Sequence, residues 1–89
     1  MEITLLIREH CDFCALAGEI LEKLAADFSF SISVVDLASQ AGQDLARRGG
    51  ILFPPGIFLD GEPFSFGRPS ERRLRRELDR LLGAPAVGR

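Results

Sequence analysis

Phe53-Pro54-Pro55-Gly56 cuts this chain of 89 residues into two parts. Consecutive prolines lack backbone N–H groups and fix φ, so no helix runs through them. One set of elements must therefore be complete before this breaker, and a second set must follow it. In the first part, Ile3 to Ile7 is a short apolar run ending in Arg8-Glu9-His10, the pattern of a buried central strand that leads into a loop. From Asp12 onward, Leu16, Ala17, Ile20, Leu21, Leu24 and Phe28 fall at helical spacing, with Glu19, Glu22 and Lys23 facing water. The spacing predicts a helix ending near Asp27. Phe30, Ile32 and Val34 then alternate with Ser31 and Ser33 before Val35, and Asp36 closes a second strand. Ser39 is the N-cap of a second helix carrying Leu45 and Ala46, stopped by Gly49-Gly50 and weakened by Gly42 inside it.

After the breaker, Ile57-Phe58-Leu59 reads as a strand and Asp60-Gly61 as a tight hairpin turn. Phe64-Ser65-Phe66 is the returning strand, placed at an edge by Pro63. Gly67 turns the chain, and Pro69-Ser70 introduces a last helix whose Leu74, Leu78, Leu81 and Leu82 form one stripe against the sheet. The order is βαβαββα. Joining the first two strands through a helix makes them parallel, in a right-handed crossover, and the closing hairpin adds antiparallel strands to the same sheet. The expected fold is α/β, a four-stranded mixed sheet with helices on both faces. One domain is expected over residues 1–82, with a Gly-, Pro- and Ala-rich tail over 83–89 that frays.

Composition narrows the partners. The chain is 46% hydrophobic and 27% charged, as a folded globular protein is, and its formal net charge of -2 argues against nucleic acid. Arg72, Arg73, Arg75, Arg76 and Arg80 crowd the last helix, but Glu71, Glu77 and Asp79 lie among them, which suits a solvated face with local ion pairs. No membrane segment is expected, and Glu2 stands where a signal peptide would be basic. These features predict a cytoplasmic monomer.

The only two cysteines are three residues apart in Cys11-Asp12-Phe13-Cys14, between the first strand and the first helix. Positions i and i+3 share a helix face, so the sulfurs can bond or separate as two thiols. A crosslink that short removes little entropy from the unfolded chain, which leaves chemistry as the better reason for the pair. In a cytosol that keeps thiols reduced, such a disulfide is transient and catalytic. A structural zinc site needs about four ligands, and this chain offers no second CxxC and one histidine, His10. A thiolate pair also suits a soft metal such as copper(I), which keeps open a non-catalytic module for metal binding or partner docking.

The order of elements, the CxxC at the first helix start and the proline before the third strand together resemble the thioredoxin fold, and within it the small glutaredoxin-like proteins. Cys11-Asp12-Phe13-Cys14, Pro55 six residues before Gly61, and Gly67 ahead of the final helix carry the likeness across nearly the whole chain. The resemblance implies a thiol–disulfide oxidoreductase that reduces protein or small-molecule disulfides and is recycled by a dithiol or by glutathione. It holds no permanently bound cofactor and no metal. Cys11 is the expected nucleophile and Cys14 the resolving thiol, with Arg8, Phe13, Phe53, Pro54, Pro55 and Gly67 as substrate-binding residues. At a helix start, unpaired N–H groups and the helix dipole favour thiolate at Cys11. Arg8 can add to that or bind a substrate carboxylate. His10 can tune the thiol or shuttle a proton.

Three departures bear on glutathione. Where glutaredoxins usually carry Cys-Pro-Tyr-Cys, this chain has Asp12 and Phe13 between the cysteines. Phe53-Pro54 replaces Thr-Val before the cis-proline, and Phe66-Gly67-Arg68-Pro69-Ser70 replaces a Gly-Gly pair followed by acidic residues. If Pro55 is the cis residue, Pro54 precedes it and has no N–H to offer a substrate. If Pro54 is cis, Phe53 supplies a normal donor. The first alternative predicts weak glutathione binding and reliance on apolar contact through Phe53 and Phe13.

Overall fold

A computed structural model describes residues 1–83. Seven elements follow one another: β1 (Glu2–Ile7), α1 (Asp12–Leu24), β2 (Ser31–Asp36), α2 (Gln40–Gly49), β3 (Gly56–Leu59), β4 (Glu62–Phe66) and α3 (Glu71–Leu82). They form one four-stranded sheet in the order β2-β1-β3-β4. β1 and β2 are parallel, while β3 lies antiparallel to both β1 and β4. This is the βαβαββα order and mixed sheet read from the sequence. Of the tail expected over 83–89, residues 84–89 lie outside the described residues, and no helix among those described is long and apolar enough to cross a membrane.

The main core lies on one face of the sheet. Ile3, Leu5, Ile57 and Leu59 meet Ala17, Ile20, Leu21 and Leu24 of α1 and Leu74 and Leu78 of α3, with Phe28 closing one side. At ~25 cal/mol per Å² of apolar surface, each fully buried Leu, Ile or Phe side chain among them contributes roughly 1.5–3 kcal/mol. On the opposite face Leu6 and Phe58 are fully buried, and glycines let α2 come close to the sheet. A Cβ at Gly49 would lie 2.8 Å from the Phe58 ring. A Cβ at Gly42 would lie 2.1 Å from the Asp36 carbonyl oxygen, so α2 approaches the end of β2 only because residue 42 has no side chain. Gly42 weakens the helix locally and makes its docking possible.

The turns follow their residues. Asp60 and Gly61 both take positive φ, 50° and 85°, as a two-residue type I′ hairpin requires. Gly50 ends α2 in the left-handed conformation, with its N–H donating to the Ala46 carbonyl. Ser39 and Ser70 cap α2 and α3 by accepting from the N–H groups of Gly42 and Arg73.

Three expectations need correction. α1 ends at Leu24, three residues before Asp27, and the chain reaches Phe28 through turns. Leu16 is exposed, because α1 turns that side away from the sheet although its sequence spacing fits the stripe. Leu81 and Leu82 are also exposed. Leu74 and Leu78 are the buried part of the α3 stripe, and Leu81 stays at the open side of the helix, beside the β3–β4 hairpin.

Candidate functional site

β1 is buried and central, so its C-terminal end delivers the chain to the middle of one sheet edge. Arg8, Glu9 and His10 make the turn out of it, and His10 takes φ 53°, a left-handed value that histidine adopts more readily than most residues. Cys11 follows in extended conformation, φ -121° and ψ 105°, as the N-cap of α1. The sequence places it in the first turn; it stands one residue outside. Its Sγ accepts the Cys14 N–H at 3.1 Å, occupying the place of the usual capping oxygen. Asp12 opens the helix, where a carboxylate is favoured by the dipole.

Cys11 and Cys14 are joined as a disulfide with their Cα atoms 5.2 Å apart. Cys11 is partly exposed, whereas Cys14 is only 7% exposed beneath it. The asymmetry is chemical as well as steric. A group arriving from solvent reaches the Cys11 sulfur, and Cys14 lies within reach of Cys11 alone.

The second side of the site is the breaker. The cis peptide bond is Pro54–Pro55, which settles the alternative in favour of Pro55. Both prolines are buried, and neither has an N–H. The Pro55 carbonyl accepts the Gly67 N–H at 2.9 Å, next to the Gly56–Phe66 pairing of β3 and β4. Gly67 has φ 79°, and a Cβ there would lie 2.6 Å from the Phe53 ring. Phe53 therefore covers Gly67 directly, and its ring meets that of Phe66 edge-on with centroids 5.2 Å apart.

An open groove of about 380 Å³ runs between the two sides, with Arg8, His10, Cys11, Asp12 and Phe13 along one and Phe53 and Pro54 along the other. The residues singled out from sequence thus converge, in two layers. Arg8, Cys11, Phe13, Phe53 and Pro54 line the groove, while Cys14, Pro55 and Gly67 form its buried support. Sequence reading missed Leu52, 78% exposed beside Phe53 (itself 52% exposed), and the ring of Phe66. Both flank landmarks already recognised, the double proline and Gly67, and that adjacency was their only signal.

Charge near the groove is mixed, with Arg8 and Asp12 on one wall. Arg80 holds the Glu77 carboxyl below its ordinary range by hydrogen bond, and Glu77 raises the guanidinium in return. That pair borders a separate hollow of about 270 Å³ between β4 and α3 that contains no thiol. Arg75 bonds Asp27 at 2.9 Å, so part of the basic helix face is internally paired. Among the described residues, no group of three or more His, Cys, Asp or Glu side chains is placed to hold a metal ion.

No protein-family model matches the chain, and no curated protein matches its sequence. Solved structures do match its shape. A thioredoxin-like protein from Clostridium perfringens superposes with a TM-score of 0.74 at 19% identity, over 99% of this chain and 76% of that one. Thioredoxin 1 from Thermosipho africanus gives 0.69 at 17% identity, over 92% and 94%. Reduced Escherichia coli glutaredoxin gives 0.66 at 22% identity, over 94% and 100%. This chain has the thioredoxin fold. Identities this low carry the architecture, and the chemistry rests on the chain's own residues. In this thioredoxin-fold protein the dithiol, the cis-proline loop and the Gly67 turn meet at one end of the sheet.

Proposed function

We propose that this protein is a thiol–disulfide oxidoreductase that reduces polypeptide disulfides through Cys11 and Cys14. The observation that carries the reading is the unequal exposure of two bonded cysteines at a helix N-terminus, opposite the cis-proline loop. In the reduced protein the Cys11 thiolate attacks one sulfur of a substrate disulfide, forming a mixed disulfide and releasing the other substrate sulfur as thiolate. Cys14 then attacks the Cys11 sulfur, which expels the second substrate thiolate and forms Cys11–Cys14. Two electrons pass to the substrate. A dithiol reductant, or two equivalents of a monothiol such as glutathione, returns them.

In the reduced protein the N–H groups at the start of α1 stabilise negative charge on Cys11, and the Cys14 N–H already points at its sulfur in the disulfide. Phe13 and Phe53 supply apolar contact across the groove, and Arg8 is a cation for a substrate carboxylate. Pro54 accepts a hydrogen bond through its carbonyl but offers none, so a bound peptide pairs on one side only. A reducing compartment such as the cytoplasm matches the direction of transfer.

Reduction of a peptide disulfide by the reduced protein tests the reading. Activity should vanish in Cys11→Ser, and an alkylating reagent should modify Cys11 first, with a titration midpoint below the free-thiol value of about 8.5. Equal labelling of both thiols, or stoichiometric copper(I) binding without turnover, favours the non-catalytic module instead.

A further inference from the structure

The two outer strands of the sheet are built differently. β4 carries Pro63, which has no N–H, and a register irregularity opposite Ile57 and Phe58. Both devices discourage another strand from adding to an edge. β2 has neither, and runs from Ser31 to Asp36 in unbroken register with β1. Its one charge is Asp36 at the end, whose carboxylate already accepts the Ala38 N–H at 2.8 Å.

The backbone of β2 is directed unequally. Ser31 and Leu37 donate their N–H groups to Met1 and Ile7, on the β1 side. Alternation along a parallel ladder directs Ser33 and Val35 the same way, so Ile32 and Val34 turn both N–H and C=O outward. These two residues also expose apolar side chains, Ile32 by 41% and Val34 by 59%. In register they stand beside Ile3 and Leu5, on the sheet face that carries the core. Hydrogen-bonding groups and apolar surface thus coincide on one edge that no described residue covers.

We propose that β2 is a self-association edge, through which two copies of this chain pair antiparallel about a two-fold axis at Ser33 and join their sheets into one of eight strands. Self-pairing favours that register. It sets Ile32 of each copy opposite Val34 of the other and closes two N–H···O=C bonds at each of those positions. An axis at Val34 would set Ile32 against the Asp36 carboxylate. A two-fold through the edge also closes the assembly, because each exposed strand is consumed by the other. A six-residue edge is narrow beside the ~1,200–2,000 Å² of standard interfaces, so the dimer is weak and concentration-dependent. The monomer expected from sequence is its dilute state. The two Cys11 loops emerge at opposite ends of the joined sheet, leaving both dithiols accessible.

Sedimentation of the full chain under reducing conditions, from about 10 μM to about 1 mM, spans the range expected for so small an interface. The average mass should rise toward that of two chains, and amide exchange at Ile32 and Val34 should slow with concentration. Val34→Lys and, separately, Ile32→Lys should remain monomeric throughout, with circular dichroism unchanged because both positions are exposed. A single-chain mass at every concentration would overturn the proposal. So would association that survives Val34→Lys, or association that Phe53→Ser abolishes and Val34→Lys does not, which would place the contact at the groove.

Discussion

The two ends of the sheet solve opposite problems. At the hairpin end, Asp60 donates its backbone N–H to the Glu2 carbonyl at 2.8 Å and accepts the Glu2 N–H on its carboxylate at 2.8 Å. That end closes on itself, with local polar groups satisfied by one another. At the dithiol end, Leu52, Phe53, Phe13 and Phe66 are exposed, and the loop facing Cys11 is made of two residues without donors. Folding alone would favour covering those rings. Their exposure around a partly exposed sulfur supports the proposed apolar substrate groove, and the contrast teaches that the two ends of one sheet are packed for different tasks.

The sharpest way to break this comparison is to ask what the dithiol end accepts. With no donor at Pro54 and Phe53 covering Gly67, glutathione should recycle the oxidised protein poorly. Two lost hydrogen bonds, at roughly 1.5 kcal/mol each, together correspond to about a hundred-fold loss in affinity. A kinetic comparison of glutathione with a dithiol reductant decides it, and saturable recycling at micromolar glutathione would show that the loop binds the tripeptide after all.

Gly67→Ala tests whether the dithiol end is also a packed structure. The left-handed φ alone costs an alanine about 1–2 kcal/mol, and its Cβ must displace the Phe53 ring. Urea unfolding should report that loss or more, together with slower disulfide exchange. Asp60→Ala is the counterpart at the closed end. It removes the carboxylate from the Glu2 N–H, at a cost of about 1 kcal/mol, and puts an alanine at φ 50°, which adds to that cost, but should leave the exchange rate unchanged. A drop in activity there would mean that the two ends are coupled.

The smallest effect is expected at neither end. Glu77 titrates below its ordinary range in the folded protein because of Arg80, so its contribution to stability is present above the unfolded-state pKa and is lost as pH falls through the folded one. In Arg80→Ala the carboxyl resonance of Glu77 should titrate at higher pH, and acid unfolding should change only slightly because the pair is exposed.

Much of the fold was legible because its signals are local. The alternation in Phe30 to Val35, the Asp60-Gly61 turn, the glycine stops and the prolines each act within a few residues, and they yield the element order. The dithiol was legible for the same reason, since its two cysteines are three residues apart and their bond needs no distant surface. What sequence could not decide depends on which distant surface lies opposite a residue. Leu16, Leu81 and Leu82 satisfy helical spacing as well as Leu74 does, yet they stay 37%, 42% and 38% exposed where Leu74 is 1%. Gly42 reads as a weak point until the Asp36 carbonyl is seen to occupy the space of its missing Cβ. The isomer of the double proline, the ring of Phe53 over Gly67 and the bare outer edge of β2 likewise arise only when strands far apart in the chain take neighbouring places. Short-range sterics and periodicity are written residue by residue, whereas exposure and close approach belong to pairs of surfaces, and only the assembled sheet brings those pairs together.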